Sequence, residues 1–504
     1  MTVPPADPYM TCYASDRAMA ENAFRGREPD LSIPPSWEAS RGLLPRPHWP
    51  ARPNVLACWN RTWELYWTNL RAVTPGIGFV APFIDTAFNG NLFMWDSVFI
   101  LRYGRYAARA FEAQRTLDNL YARQHPDGFI SREIDWTTGI ERFHRHEPGS
   151  TGPNLLAWCE WEHWRDTGDR ERLAAVFMPI LNYHRWMRDY RTWQDGTYWS
   201  TGWGCGMDNQ PRLDTDLHVC HHHSGMSWID TTAQALLSGR TLLQMAKVLG
   251  READVRDVAA EIPRLEMSIN QTMWNDEVGC YVDRRRDGRV SDVVSIAGFW
   301  TLLAGSTPPE RRARMIALLR DERHFNRPHR VPTLSASHPA YDPDGGYWLG
   351  GVWPPTTAMI LAALRGEGED ALAHEIGLNH LDNVVKVFSD TGTVWENYAP
   401  ESAIPGKPSR PDFTGWGGLG PVAVLIEEVF GLRLDVPARR LVWDLRLTDE
   451  HGIAALPFGN ACTVDVRVAA RANVTDEPQI AAHASGPLTL EVRWQGGRKE
   501  LQLG

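Results

Sequence analysis

The stretch "DTTAQALLSGRTLLQMAKVLGREADVRDVAAEIPRLEMSINQTMW", residues 230–274, decides the fold class. In its first half Ala235, Leu242, Ala246 and Leu249 recur at the spacing of one helix face. In its second half Val255, Val258, Ile262, Leu265 and Ile269 do the same. Gly250 stops the first helix, because glycine tolerates the left-handed turn at a helix end. The link "LGRE" is too short for anything but an antiparallel neighbour. The unit is therefore a helical hairpin.

The unit recurs. "NLLAWCEWEHWRDTG" and "RERLAAVFMPILNYHRWMRDY" meet around "TGD" in the same way. From residue 53 to 432 the chain reads as about twelve helices, once the long run that starts "SVFILRYG" is split near Arg109. Many of the pairs are separated by longer loops rich in glycine and aromatic residues. Twelve paired helices predict a mainly α fold, an (α/α)6 toroid with six inner and six outer helices. Short links then lie on one face and long, functional loops on the other. Residues 1–52 read as a proline-rich extended arm, with a short helix at 16–25; ten prolines fall within residues 1–53. Residues 433–504 change to period two, as in "CTVDVRVAAR" and "LTLEVRWQGG". They read as a small antiparallel β domain in which "HGIAALPFGN" is a hairpin connection.

A chain of 504 residues with 43% hydrophobic and 23% charged residues buries its core without disulfides or metal. The net charge of −10 and the lack of a basic run argue against nucleic acid and anionic membranes. No apolar stretch has membrane-spanning length, and the start "MTVPPADPYMTCYASDRAM" has no signal-peptide core. With seven scattered cysteines, these features place the expected location in the cytoplasm. Tryptophan is in excess, 23 against 13 tyrosines and 16 phenylalanines. Its flat apolar face with one donor suits core packing, the expected place of most of them, and the excess also fits the C–H faces of sugars.

Four long loops combine acids, glycines and aromatics: "FNGNLFMWDSVFI" (88–100), "STGWGCGMDNQPRLD" (200–214), "DPDGGYWLGGVWPPTT" (342–357) and "GTVWENYAPES" (392–402). None has a metal-ligand, phosphate-loop or nucleophile-elbow pattern. Hydrolysis of a glycosidic bond needs one protonated and one ionised carboxyl. Asp208, near Trp203 and Met207 with no cation before Arg212, is a candidate proton donor. Glu396, between Trp395 and Tyr398, is a candidate for orienting water from the other side of a cleft.

Seven segments occur in one order: "MWDSVF", "QHPDGFI", "GWGCGMDNQPR", "WIDTTAQALL", "GGYWLGGVWPP", "WENYAPES" and "DFTGWGGLGPVAVL". Together they resemble the (α/α)6 glycosidases of glycoside hydrolase family 63 and the related trehalase family 37. That group includes mannosylglycerate and glucosylglycerate hydrolases and processing α-glucosidases. The resemblance implies an inverting hydrolase with Asp208 as general acid and Glu396 as general base. Glu401 matches the second glutamate of its segment, which is not the base. Asp96 matches a position that grips sugar hydroxyls, with Trp95 beside it, and Trp353 and Gln124 match other pocket positions. Trp203, Asn209, Trp395, Tyr398 and Trp416 complete the expected substrate-binding set. Many relatives have an arginine at Leu349 or Gly350, and "NQPR" replaces the serine-rich run that follows the acid in trehalases. Trehalose is therefore not the expected substrate.

The implied function is exo-acting hydrolysis of a small α-glucoside or α-mannoside, with no cofactor and no metal. The arm and the loops at 200–225 and 335–352 are expected to close over the site. A lyase, epimerase or phosphorylase on the same scaffold, or a silent sugar-binding protein, is the alternative. The histidine run "HVCHHH" (218–223) keeps the epimerase option open and reads more readily as a substrate-side loop than as a metal cluster.

Overall fold

The computed structural model describes residues 21–86 and 89–504. Residues 16–20 of the expected arm helix lie outside that range, and 21–26 form turns. The main body is helical: α1 (Pro53–Thr68), α2 (Met94–Gly104), α3 (Thr116–Ala122), α4 (Leu156–Thr167), α5 (Arg170–Tyr190), α6 (Ile229–Leu249), α7 (Arg256–Thr272), α8 (Trp300–Leu303), α9 (Pro309–Arg320), α10 (Pro354–Gly366), α11 (Asp370–Thr391) and α12 (Leu419–Val429). α12 is π-helical.

Two kinds of helix are present. Every residue of α2 and of α12 is buried, the charged Asp96, Arg102, Glu427 and Glu428 included. α7 buries only Val258, Glu261, Leu265 and Ile269, a single stripe. The buried helices pack in a cycle: α2 on α4, α4 on α6, α6 on α8, α8 on α10, α10 on α12, and α12 back on α2. The others cover them, α5 and α7 against α6 and α11 against both α10 and α12.

The cycle has two chemically distinct ends. α2, α10 and α12 begin beside Trp95, Trp353 and Trp416. Their other ends carry a knot of buried charges, in which Arg105 pairs with Asp166 and Glu427, and Arg365 with Glu427 (3.1 Å) and Glu428 (2.6 Å). Arginines near helix C-termini complement the negative ends of the helix dipoles, and the positive ends point toward the other face.

The loop reading of 88–100 is corrected, because α2 begins at Met94 and puts Trp95 and Asp96 in its first turn. Full burial of α2 leaves no amphipathic start signal there. The C-terminal β unit also differs from expectation. Its strands are β1 (Arg46–His48), β2 (Leu432–Asp435), β3 (Arg440–Asp444), β4 (His451–Phe458), β5 (Cys462–Val468), β6 (Ile480–Ala484), β7 (Leu488–Trp494) and β8 (Gly497–Leu503). They form two sheets, ordered β1-β4-β5-β6 and β8-β7-β3-β2. "HGIAALPFGN" is thus a strand rather than a connection. A bulge between Ile453 and Leu456, with Ala455 at φ +57°, breaks its alternation. The β unit is not wholly antiparallel: β7 runs parallel to β3, Thr489 opposite Arg440. The chain leaves β3, builds three strands of the other sheet, and returns in the same direction. The arm supplies β1, with Arg46 opposite Ala454.

Candidate active site

A cavity of about 310 Å³ opens at the face where the buried helices begin. Seven separate stretches of chain wall it. The first turn of α2 contributes Trp95 and Asp96, and the loop after Thr201 contributes Trp203 and Asp208. The glycine-rich loop before α10 adds Tyr347, Trp348 and Trp353, and Glu396 and Trp416 enter from two points of the segment between α11 and α12. Gly152 and Pro153 add a short segment, and Arg132, Glu133, Arg142 and Phe143 form a further wall. A short pairing of 91–93 with 133–135 brings that wall to α2, and Asn91 Nδ2 donates to Glu133 Oε1 at 2.8 Å.

The acid loop is pinned nearly residue by residue. The Cys220 thiol donates to the Asp208 carbonyl (3.0 Å), and Gln210 Nε2 donates to the Thr333 carbonyl (2.9 Å). Arg212 is fully buried against the face of Trp228 and reaches Asp230 (2.7 and 3.0 Å) and Asp283 (2.7 and 2.6 Å). Gly202 lies so close to Asp208 that an added Cβ would stand 2.8 Å from its carbonyl oxygen. Across the cavity the Glu396 backbone is held on both sides: its N–H donates to Arg410 O (3.0 Å), and its carbonyl accepts from Trp416 Nε1 (2.6 Å). Trp348 and Trp353 stack at 3.8 Å with 7° between their planes.

Burial raises the proton affinity of all four cavity carboxyls, Asp96, Glu133, Asp208 and Glu396. Asp208 is pushed up to about 6 by desolvation, against the nearby Arg132 charge. Glu396 is pushed up to about 7 by desolvation; Arg410 opposes this and the Asp208 charge adds to it. Asp96 is held well above the usual carboxylate range by burial, with the Glu396 charge adding to the effect. One Asp96 carboxyl oxygen and the Trp95 indole N–H are buried without a hydrogen-bond partner among the described residues.

Of the residues singled out in the sequence, Trp95, Asp96, Trp203, Asp208, Trp353, Glu396 and Trp416 meet at this cavity. The other four do not line it. Gln124 is a structural knot, donating to Gly128 O (2.9 Å) and Pro179 O (2.7 Å) and accepting from Asn22 (3.0 Å). Trp395 turns back to Thr391, donating from Nε1 at 3.0 Å. Tyr398 is fully buried, its ring 5.5 Å from that of His329 and its hydroxyl accepting the Trp395 N–H (3.2 Å). Asn209 spends its carboxamide on the glycine-rich loop. The described part of the arm also contributes nothing to the wall, contrary to expectation.

Sequence reasoning missed Arg132, Glu133, Arg142, Phe143, Tyr347 and Trp348. The first four come from residues 132–143, which were not singled out although Trp136, Gly139 and Phe143 give that stretch the same mix of glycine, aromatic and acidic residues as the four loops. The last two stood in a quoted loop, but nothing in the sequence separated them from turn residues. The histidine loop disperses. His221 packs edge-on against Trp203 (4.4 Å), while His223 accepts the Gly225 N–H (2.9 Å) and packs against Trp199 (4.6 Å). Among the described residues, no histidine lines the cavity.

Glu401 is held by Arg327 through two contacts of 2.7 Å and accepts from the Tyr341 hydroxyl (2.6 Å). The Arg327 hydrogen bonds hold its carboxyl below the ordinary value. Glu401→Gln is expected to lower stability by about 1 kcal/mol, as for a partly exposed ion pair. Its kcat should stay within about threefold; a fall of a hundredfold in a steady-state assay would place Glu401 in the chemistry.

The mannosylglycerate hydrolase MGH1-like glycoside hydrolase domain matches residues 90–413, well over half the chain. A protein of Borreliella burgdorferi is 24% identical over 363 residues, 70% of this chain and 74% of that one. A probable mannosyl-oligosaccharide glucosidase of Schizosaccharomyces pombe is 26% identical over 282 residues, 49% of this chain but only 34% of its own length. Among solved structures, the family 63 mannosylglycerate hydrolase of Thermus thermophilus in complex with glucose superposes with a TM-score of 0.59. That match is 20% identical and covers 72% of this chain and 99% of that one, so it speaks to the fold. The family 78 rhamnosidase of Bacillus sp. GL1 superposes over 89% of this chain and 42% of that one, with a TM-score of 0.61 at 15% identity. With the matched domain spanning every wall of the cavity except Asn89 and Trp416 at its edges, the chain belongs to the mannosylglycerate hydrolase MGH1-like glycoside hydrolase family.

Proposed function

We propose that this chain is an inverting α-glycosidase that removes a terminal sugar from a small α-glucoside or α-mannoside. One observation carries the reading: Asp208 and Glu396, 188 positions apart in sequence, face one aromatic-walled cavity that raises the proton affinity of both. Their proton affinities shift in the same direction, so position divides the roles. Asp208 shares its surroundings with Arg132, Phe143 and Trp203, on the side where Arg142 reaches solvent. This is the leaving-group side. There Asp208 gives its proton to the glycosidic oxygen as the bond to the anomeric carbon breaks. Glu396, with Trp353 and Trp416, takes a proton from the water that attacks that carbon from the opposite face. Asp96 and the indole of Trp95 hold the sugar hydroxyls.

Arg132 (2.9 Å) and Arg142 (3.9 Å) both approach the single carboxylate of Glu133. With Asp208 protonated, one positive charge among the described residues is left over on the leaving-group side, which favours an aglycone bearing a carboxylate. The Thermus thermophilus protein has also been seen with D-glycerate, which supports that reading. A cavity of about 310 Å³ has room for a small glycoside, so exo action and no attack on starch are expected. The cyclic packing of the buried helices supports the (α/α)6 toroid over 53–432, with 433–504 as the β unit and 1–52 as an arm that lends it one strand. The six described cysteines are unpaired, and among the described residues no helix is long and apolar enough to cross a membrane. The free thiols support a reducing, cytoplasmic setting. With no histidine among the described cavity residues, a histidine-based epimerase loses its footing.

Proton NMR in the first minutes of hydrolysis tests the proposal. An α-glycoside should release the β-sugar first, because a base acting through water inverts the anomeric centre. Initial release of the α-sugar would make Glu396 a nucleophile and end the inverting reading.

A further inference from the structure

Tyr347 has a left-handed backbone, φ +67°. Of the described non-glycine residues with positive φ, it alone lines the carboxylate cavity. A residue with a Cβ holds that conformation only when its surroundings impose it, and such residues cluster where function needs them. The imposing groups are visible. Asn209 Nδ2 donates to the carbonyl of Gly346 (2.9 Å), and the Trp348 N–H donates to Asn209 Oδ1 (2.8 Å). One carboxamide therefore grips the backbone immediately before and immediately after Tyr347. Trp353 Nε1 donates to the Tyr347 carbonyl (2.9 Å), and the two rings meet at 4.9 Å, nearly perpendicular.

We infer that Asn209 is a positioning residue whose carboxamide clamps the backbone around Tyr347 and so fixes the Tyr347 phenol over the cavity that holds Asp208, Glu396 and Asp96. The inference deepens the hydrolase reading and rests on it. Asn209 directly follows Asp208, so a single step along the chain ties the proton donor to the opposite aromatic loop. Burial and the charges of Asp208, Glu396 and Asp96 keep the phenol protonated. It is thus an O–H donor, able to bond a substrate oxygen beside the breaking bond. An untethered loop would let Tyr347 relax to negative φ and swing the phenol away. The structure gives Asn209 this role in place of direct contact with substrate, since both ends of its carboxamide are engaged.

The test has a structural arm and a kinetic arm. In hydrogen-exchange mass spectrometry of the whole chain, Asn209→Ala should speed exchange of the Trp348 amide at least tenfold, because that N–H loses its acceptor. Unchanged exchange overturns the clamp. In kinetics on p-nitrophenyl α-glucoside and α-mannoside, Asn209→Ala should lower kcat about tenfold to thirtyfold, the worth of two hydrogen bonds of about 1 kcal/mol each, with KM within about threefold. Asn209→Asp, which keeps the acceptor for Trp348 and loses the donor to Gly346, should fall between. Tyr347→Gly removes both the strain and the phenol, so in that background Asn209→Ala should change kcat less than about twofold. A full loss in that background means that Asn209 acts elsewhere and overturns the inference. If the unsubstituted enzyme cleaves neither aryl glycoside nor natural α-glycosides, the hydrolase reading fails, and the exchange arm still decides the clamp.

Discussion

Asp208→Asn is expected to abolish turnover of unactivated α-glycosides, with kcat down about 10²–10⁴-fold, and to leave the fold unchanged. The amide has the size of the carboxyl but no proton to give. The pins on this loop use the Asp208 carbonyl and the side chains of Gln210 and Arg212, none of which changes. Burial disfavours the ionised carboxyl, so a neutral amide at the same place costs no packing and relieves desolvation. A substrate with a dinitrophenyl leaving group needs no proton and should lose less than about tenfold. Normal rates on an unactivated disaccharide would remove Asp208 from the mechanism, and equal loss on both substrates would point to a damaged site rather than a missing proton. Circular dichroism and the melting temperature should match those of the unsubstituted protein.

The helical hairpins were legible because their outer members are amphipathic: α7 shows one apolar stripe, and its link to α6 is short. The start of α2 was not legible, because a helix buried on all sides gives no stripe to mark where it begins. The β unit was readable as strands, but its pairing was not. β3 and β7 meet across more than 40 intervening residues, and β1 arrives from the other end of the chain. In the site, both carboxylates were legible from their aromatic loops and the family resemblance. The wall with Arg132 was not, because only the pairing of 91–93 with 133–135 brings it there. Gln124 failed in the opposite sense: its segment matched, but its amide is consumed by two backbone carbonyls and Asn22. Tyr347 depends on a backbone angle that no residue pattern announces.

Glu396→Gln is expected to cost about 10²–10⁴-fold in kcat/KM, and the shape of what remains is the sharper test. In the unsubstituted enzyme kcat/KM should trace a narrow bell with limbs near the values of the pair, about 6 and about 7. Below the lower limb both carboxyls are protonated, the base is lost, and the rate falls as pH falls. Above the upper limb both are ionised, the acid is lost, and the rate falls as pH rises. Between them the pair holds one proton, which sits mostly on Glu396 because Glu396 binds it more tightly. The productive arrangement, with the proton on Asp208, is then the minor form of that state. Glu396→Gln removes the group that must ionise, so its residual activity should lose the acidic limb and keep only the fall as Asp208 gives up its proton. Asp208→Asn, read on a dinitrophenyl substrate, should do the reverse. It keeps only a rise with pH, centred below about 7 because the Asp208 charge no longer raises Glu396. An acidic limb that persists in Glu396→Gln would assign base catalysis to another group in the cavity, and Asp96, buried beside Glu396, would be the one to substitute next.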